Sequence, residues 1–314
     1  MKRCTRALVV LIMNPVVITG AVFLSQNQSI SIAEALTPIS SPTSGTHPLP
    51  IPTLPTPALP APGVGTWKAV GSKVNGIPVT FLATTDSGKI AQLWLDPTFL
   101  EFRLIPGTTV PEKSPVRAID NNRKSWLPNL AAAFNGGFWL RDLHNGGYFY
   151  DGKVVRTLVA GQSALVINKS GQLQVGMWGR DFNMTHNLMV VRENMKLVID
   201  NFKDTSAQLE PRQKNLLVLV DKNRNRSLLG QMANGSLIYE YGRSVNFKAM
   251  VQGLLAIHVK RAMLLDMNYD WPAAFYYWHS GSNVLGAPIQ PQIYHKPSVY
   301  FSRFKKDFIV ALLK

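Results

Sequence analysis

Proline divides this 314-residue chain into a part that can join a sheet and a part that cannot. Between residues 37 and 62 the sequence is dominated by Pro, Ser and Thr, as in the run Pro48–Pro52. Each proline fixes φ and lacks an N–H donor, so this segment favours an extended polyproline II conformation. Residues 36–64 are therefore predicted to be a semi-rigid linker, and a single folded domain is expected over residues 65–314.

The residues before the linker have the pattern of an export signal. Lys2, Arg3 and Arg6 precede an apolar run over Ala7–Leu24. Positive charge stays on the cytoplasmic side while such a run enters the membrane. Residues 1–35 are therefore predicted to be a signal peptide, with a retained signal anchor as the alternative. The domain is expected to be secreted, or anchored outside the cytoplasmic membrane by this segment alone.

Composition excludes several kinds of site. Cys4 is the one cysteine, so a disulfide scaffold, a thiolate zinc site and a Cys–His nucleophile are excluded from the domain. The six histidines show no metal-ligand spacing, and the sequence requires no cofactor, although a divalent cation is compatible with it. The formal net charge of +15 indicates either an anionic partner or simply a soluble, basic exported protein. Predicted export and the lack of a compact basic helix argue against nucleic acid.

Strand signals dominate the domain and helical periodicity is rare. Three strands are predicted in succession between residues 79 and 105, from β-branched and aromatic runs separated by turns. Apolar residues recur with helical spacing from Phe247 to His258, which predicts one amphipathic helix. The fold class expected is α+β: a single domain of mostly short strands in a twisted mixed sheet, with a few helices packed on it.

The first candidate site is a glycine turn after a predicted strand. Ala131–Phe134 runs into Asn135, Gly136 and Gly137, and aromatic residues follow. Paired glycines permit positive φ and let the backbone approach a ligand closely. The Asn135 amide can bind a sugar hydroxyl or a phosphoryl oxygen, and the aromatic rings can stack on a sugar. For an isolated Asn-Gly-Gly, a tight turn beside core aromatics is the favoured alternative.

The second candidate is the carboxylate of Asp266. It follows the apolar run Ala262–Leu265, which is predicted to be a buried strand. A carboxylate at the end of such a strand is partly desolvated, which raises its pKa and suits acid–base chemistry. The alternative is an aspartate that caps the next turn.

In this order and separation, the two candidates resemble the phosphodiester glycosidase family, which includes the lysosomal uncovering enzyme. The resemblance spans Gly65 to Tyr277 and takes in Arg243-Ser244-Val245. Family members similar to the lysosomal enzyme carry Asp-Gly-Gly-Gly-Ser after the last strand. Here Asp266 is followed by Met267–Trp271. That ending resembles an exported bacterial subgroup with an Asp-x-Asn-x-x-Trp pattern.

The resemblance implies hydrolysis of a sugar-1-phosphodiester in cell-envelope or extracellular glycopolymers. Cleavage at the anomeric carbon needs a carboxylate near the ring and a cation near the phosphate. Asp266 is expected to be that carboxylate and Arg243 the phosphate clamp, and both are expected to line one pocket with Asn135. Asp142, His144 and His279 are candidates for proton transfer. The expected substrate contacts are Asn135, Gly136, Gly137, Phe138, Asn268 and His279.

A non-catalytic binding module is the main alternative to an enzyme. The same cleft, with its glycine loop replaced, can hold an anionic cell-wall or capsule polysaccharide without cleaving it. The basic charge and the supply of aromatic residues fit both functions. Turnover of a sugar-phosphate diester distinguishes them.

Overall fold

The computed structural model describes residues 67–85, 88–112, 123–143, 145–211 and 224–314. The predicted signal segment, the predicted linker and the candidate His144 lie outside these ranges. In chain order the strands are β1 (Lys68–Val74), β2 (Ile77–Thr85), β3 (Ile90–Leu95), β4 (Leu100–Ile105), β5 (Leu130–Asn135), β6 (Tyr148–Tyr150), β7 (Lys153–Arg156), β8 (Ser163–Asn168), β9 (Leu173–Met177), β10 (Leu188–Glu193), β11 (Ile199–Asp200), β12 (Lys203–Asp204), β13 (Asn225–Gln231), β14 (Leu237–Gly242), β15 (Arg261–Asn268), β16 (Ala274–Ser280), β17 (Asn283–Pro288) and β18 (Phe308–Leu313).

These strands form three sheets. The large sheet has the order β1-β2-β3-β14-β13-β15-β11-β12. The middle sheet has the order β7-β6-β10-β8-β9, and the C-terminal sheet has the order β17-β16-β5-β18-β4. The C-terminal sheet therefore brings the Asn135 end of β5 beside the start of the last strand, β18, where Asn135 lies opposite Phe308.

The expected α+β class, with a mixed sheet, is wrong. Every pairing between the named strands is antiparallel. The helices within the described ranges include α1 (Arg123–Trp126), α2 (Phe247–Ala256) and short 3-10 turns. Many strands that are neighbours in sequence are joined by short turns and pair with each other, so they need no crossover helix between parallel strands. The fold is therefore mostly β.

The helix predicted from periodicity is present as α2. Its N-terminus is capped by Asn246, whose side chain accepts a hydrogen bond from the N–H of Lys248 at 2.8 Å. The buried stripe of α2 is Met250, Val251 and Leu254. This stripe packs on one face of the large sheet, where a Cβ added to Gly242 would lie 2.5 Å from the Met250 sulfur. The other two sheets contact the opposite face of the large sheet, for example through Phe134 against Tyr239 and Val175 against Gln231.

One hydrophobic cluster runs through all three sheets and includes the stripe of α2. No helix in the part of the chain that the structure describes combines the length and the apolar character needed to cross a membrane.

Candidate functional site

A β-bulge in the large sheet sets the direction of Asp266. Where β13 pairs with β15, Ser227 lies opposite Asp266, and the register then shifts before Leu228 because Leu265 is an extra residue. A bulge bends its strand and redirects the adjacent side chain. Directly opposed residues share a face, so the Asp266 carboxylate lies on the same face as Ser227. This is the face opposite to α2.

Asp266 is paired with Lys306 in the interior of the protein. Its Oδ2 accepts a hydrogen bond from Nζ of Lys306, and its Oδ1 accepts one from the N–H of Met267 at 2.8 Å. The side chains of Lys306 and Asp266 are 1% and 4% exposed. Burial raises the pKa of the Asp266 carboxyl above its usual range, and the charge of Lys306 opposes that shift. The pair is thus an acidic and a basic group held together in a region of low dielectric.

Two tryptophans cover the ammonium of Lys306. Its Nζ lies 5.6 Å from the ring centroid of Trp139 and 5.5 Å from that of Trp271. The two rings meet edge to face at 5.9 Å, and both side chains are half-buried. Cation–π attraction holds a desolvated ammonium over such rings. The tryptophans therefore pack over the ion pair and keep part of their own surface exposed.

Asn135 belongs to the same buried cluster. Its Oδ1 accepts a hydrogen bond from the Tyr239 hydroxyl at 2.7 Å and from the N–H of Ala273 at 3.2 Å. Tyr239 is on the same face of the large sheet as Asp266. Burial raises the pKa of its phenol, and the Asp266 charge is one of several smaller contributions in the same direction. The structure thus brings Asn135 and Asp266 to one cluster, because Gly136 contacts Asp307 and the preceding Lys306 contacts Asp266.

A second buried ion pair adjoins the first. Asp307, the residue after Lys306, accepts a hydrogen bond from Nε of Arg192 at 2.9 Å. Both side chains are at most 1% exposed. Burial raises the pKa of Asp307, and Arg192 and Lys306 act in the opposite direction. Two acids and two bases therefore alternate within the cluster.

The glycines of the predicted turn allow the protein's own groups to approach. The N–H of Gly136 donates to the Asp307 carbonyl at 2.9 Å. A Cβ at Gly137 would lie 2.4 Å from Oδ1 of Asn194 and 2.8 Å from Cζ of Arg192. Phe138 is in the core. The close packing expected for a ligand is thus made by side chains of the chain itself.

Arg243 lies at the end of β14 and is exposed. Its N–H donates to the carbonyl of Lys89 at 2.9 Å, and its charge acts on the buried phenol of Tyr241. Among the described residues, no hydrogen bond or ion pair joins Arg243 to Asn135 or Asp266. The cation in contact with Asp266 is Lys306 instead.

The remaining sequence candidates are dispersed. His279 is near the far end of β16 from Asn135, and its ring contacts the Ser72 hydroxyl and the Leu127 carbonyl. Asp142 is half-exposed and lies 3.8 Å from Arg141. Asn268, at the end of β15, uses its Oδ1 to accept the N–H of Asp270 at 3.2 Å.

Sequence reasoning missed Lys306, Asp307 and Arg192. The signal for the first two was a charged pair placed directly before the apolar strand β18, forty residues after Asp266. Arg192 is the penultimate residue of β10 and lies between two apolar valines and the polar residues Glu193 and Asn194. The described ranges hold no group of three His, Cys, Asp or Glu side chains arranged to bind a metal.

Several solved structures, the following three among them, are similar to this chain, whereas no protein-family model and no curated protein sequence matches it. The catalytic domain of zebrafish N-acetylglucosamine-1-phosphodiester alpha-N-acetylglucosaminidase, auto-inhibited by its pro-peptide, is 18% identical with a TM-score of 0.47, covering 79% of this chain and 88% of that one. A hypothetical protein from Synechocystis is 11% identical with a TM-score of 0.38, covering 79% of this chain and 62% of that one. A protein described as exported, from Burkholderia pseudomallei, is 10% identical with a TM-score of 0.35, covering 75% of each chain. At these identities the similarity concerns the fold alone.

Proposed function

We propose that this chain hydrolyses a sugar-1-phosphodiester by breaking the bond between the anomeric carbon and the phosphate oxygen. The observation that carries the proposal is the buried Asp266–Lys306 pair beneath Trp139 and Trp271, beside Asn135. This chemistry needs a carboxylate and a cation a few ångströms apart, because positive charge develops on the ring while negative charge develops on the phosphate. The sequence resemblance to phosphodiester glycosidases supports the same substrate class.

The two groups of the pair are proposed to have different catalytic roles. The carboxylate of Asp266 stabilises the positive charge that develops at the anomeric carbon, and the ammonium of Lys306 stabilises the departing phosphate. The C–O bond breaks with its electron pair passing to the phosphate oxygen, and a water oxygen bonds to the anomeric carbon. The proton that the water loses passes to an oxygen of the released phosphate monoester or to solvent. The products are a free sugar and a phosphate monoester.

Trp139 and Trp271 are proposed to bind the sugar ring. Both rings are half-buried directly above Lys306, and Arg141 adds a guanidinium 4.6 Å from the Trp139 ring centroid. An aromatic face packs against the apolar C–H face of a sugar, and a neighbouring cation attracts an anionic substituent. The phosphate clamp assigned to Arg243 from sequence is therefore given to Lys306 in this proposal.

The second candidate function is a non-catalytic binding module, and the Asp266–Lys306 ion pair favours it. A carboxylate that is already paired with a lysine of the protein can serve a binding site that breaks no bond as well as it can serve a catalytic site. In that case Trp139 and Trp271 hold an anionic glycan at the surface and no bond is broken.

We infer from the N-terminal sequence that the substrate lies outside the cytoplasm. The basic start, the apolar run and the proline segment are typical of an exported protein that holds its domain away from a membrane or wall. A cell-envelope or extracellular glycopolymer with sugar-phosphate linkages fits that location and the basic net charge.

The test is release of free sugar by the purified protein from a panel of nucleotide sugars and sugar-1-phosphodiesters. Asp266→Asn is expected to lower turnover by about a hundredfold or more. The matched control is Asp204→Asn, because Asp204 is exposed and only accepts hydrogen bonds from Ser206 nearby. Equal turnover by wild type and Asp266→Asn contradicts the catalytic role. No turnover with retention of anionic glycans establishes the binding module instead.

A further inference from the structure

Three consecutive polar residues at the end of β10 are buried beside the site. Arg192, Glu193 and Asn194 are each at most 1% exposed. Buried polar side chains are costly unless they are hydrogen-bonded, so a run of three needs a set of fixed partners. Each residue of this run contacts a different segment around the Asp266–Lys306 pair.

Arg192 joins the glycine turn to the start of β18. Its guanidinium donates to the carboxylate of Asp307 at 2.9 Å, to the carbonyl of Glu193 at 2.8 Å, and to the carbonyl of Phe138. The planar guanidinium presents its donors in a fixed fork, which a lysine cannot reproduce. Arg192 therefore sets where Asp307, and with it the neighbouring Lys306, lies relative to the Asn135 turn.

Asn194 holds the bulge that directs Asp266. Its Nδ2 donates to the carbonyl of Leu264 at 3.1 Å and lies 3.4 Å from that of Leu265. These two carbonyls are at the point where the pairing of β13 with β15 shifts register, so the regular ladder is locally disrupted. The Asn194 amide thus supplies a hydrogen-bond donor to backbone carbonyls of β15 directly before Asp266.

Glu193 fixes the third segment. Its carboxylate accepts the N–H of Gly147 at 2.6 Å and the N–H of Val159 at 3.0 Å. Gly147 precedes Tyr148, whose ring lies 5.5 Å from the Arg192 guanidinium. Glu193 therefore anchors the loop that packs on Arg192 from the other side.

We propose that Arg192 and Asn194 are positioning residues for the Asp266–Lys306 pair, one acting on the Lys306 side and the other on the Asp266 side. The inference rests on the proposed function, because it treats that pair as the reacting centre. A reactive pair needs neighbours that fix its geometry to within a fraction of an ångström, and these two side chains reach both of its backbone supports.

The test uses Arg192→Lys, which keeps the charge but loses the fork, and Asn194→Ser, which shortens the donor. Arg226→Lys is the matched control, because Arg226 is also a fully buried arginine but donates to the Val245 carbonyl on the α2 face of the large sheet. Two readouts are compared in the full-length protein: the pH titration of the Asp266 carboxyl followed by ¹³C NMR, and kcat against KM on a sugar-1-phosphodiester.

Both site variants are expected to shift the Asp266 titration by about half a pH unit or more and to lower kcat about tenfold with little change in KM. Arg226→Lys is expected to lower Tm and to leave both readouts unchanged. An unchanged titration in the folded Arg192→Lys and Asn194→Ser proteins overturns the inference, as does an equal shift in Arg226→Lys. If the wild type lacks turnover, the titration still decides the positioning role, while the proposed function alone fails.

Discussion

The two faces of the large sheet each bury carboxyl groups, but they treat them differently. On one face Asp266 contacts Lys306, and Asp307 contacts Arg192. On the other face, beneath α2, Glu240 lies opposite Gln92 and accepts a hydrogen bond from its Nε2 at 2.7 Å. Burial raises the pKa of Glu240 to about 8, and no cation contributes to that value. A buried acid with a basic partner can stay charged, whereas one with an amide partner is protonated at neutral pH.

The difference indicates that the Asp266 face holds a candidate functional site, whereas the Glu240 face serves to pack α2 on the sheet. Glu240 lies against Gly253 of α2, where an added Cβ would be 3.4 Å from its Oε2, so the helix rests directly on the neutral acid. The Asp266 face instead is covered by half-buried tryptophans, and each of its two carboxyl groups contacts a basic side chain. Charge that is retained in a low-dielectric region is what the proposed hydrolysis requires.

Removing the cation from the first face is expected to give the largest loss of stability. Lys306→Met leaves the Asp266 carboxylate buried without its partner, which costs about 3–5 kcal/mol in the free energy of unfolding at pH 7. The cost is expected to shrink as the pH falls and Asp266 takes up a proton. Urea unfolding at two pH values measures it. The double variant Lys306→Met/Asp266→Asn is the control and should recover much of the loss; a double variant as unstable as the single one contradicts the ion-pair explanation.

Glu240 on the second face is expected to make the protein less stable in alkali. Its pKa in the folded protein, about 8, is above the ordinary value of 4.5, so the folded state binds more protons between these pH values. Stability is therefore fully present below about pH 4.5 and is lost as the pH rises through 8. Glu240→Gln should remove this dependence and exceed wild type at pH 9 by up to about 5 kcal/mol.

Thermal unfolding of both proteins from pH 5 to pH 9 tests this expectation. The matched control is Glu101→Gln, which changes a partly exposed acid paired with Arg103 and should leave the pH dependence of stability unchanged. Parallel stability curves for wild type and Glu240→Gln would show that Glu240 is ionised in the folded protein.

The smallest effect is expected for ion pairs at the surface. Arg180 contacts Asp200 and Asp181, and Arg261 contacts Asp181 at 2.8 Å, which links the middle sheet to the large sheet. The Arg180 side chain is 43% exposed, so solvent screens these pairs. Arg180→Ala is expected to cost about 0.5–1 kcal/mol, and 1 M salt should remove most of the difference. A cost similar to that of Lys306→Met would contradict the distinction between buried and exposed pairs.

Local patterns in the sequence predicted the elements whose pattern is complete within a few residues. The apolar stripe that begins at Phe247 predicted α2, and one of the predicted strands coincides with β3 at residues 90–95. Asn135 and Asp266 were recognised because each ends an apolar run. Whether two strands pair parallel or antiparallel depends on segments that are far apart in the sequence, and a short apolar run does not encode it. The prediction of a mixed sheet was therefore wrong.

The partners of Asp266 could not be predicted in the same way. Lys306 stands in the stretch Arg303–Asp307, whose composition is typical of an exposed turn, and its burial follows from two tryptophans contributed by other segments. Arg192, Glu193 and Asn194 likewise have the composition of a polar turn. Their burial depends on contacts with residues up to 115 positions away, such as Asp307. Arg243, by contrast, was selected by resemblance to a family motif, and it lies exposed at the end of β14.

The proposed division of work between Asp266 and Lys306 is tested most directly by substrate charge. The measurement is kcat/KM of wild type and Lys306→Gln for a sugar-1-phosphodiester and for an uncharged aryl glycoside of the same sugar, on folded protein. If Lys306 binds the departing phosphate, the substitution should lower kcat/KM for the phosphodiester about a hundredfold and that for the aryl glycoside far less. An equal loss on both substrates, or no loss on the phosphodiester, would contradict a phosphate-binding role for Lys306.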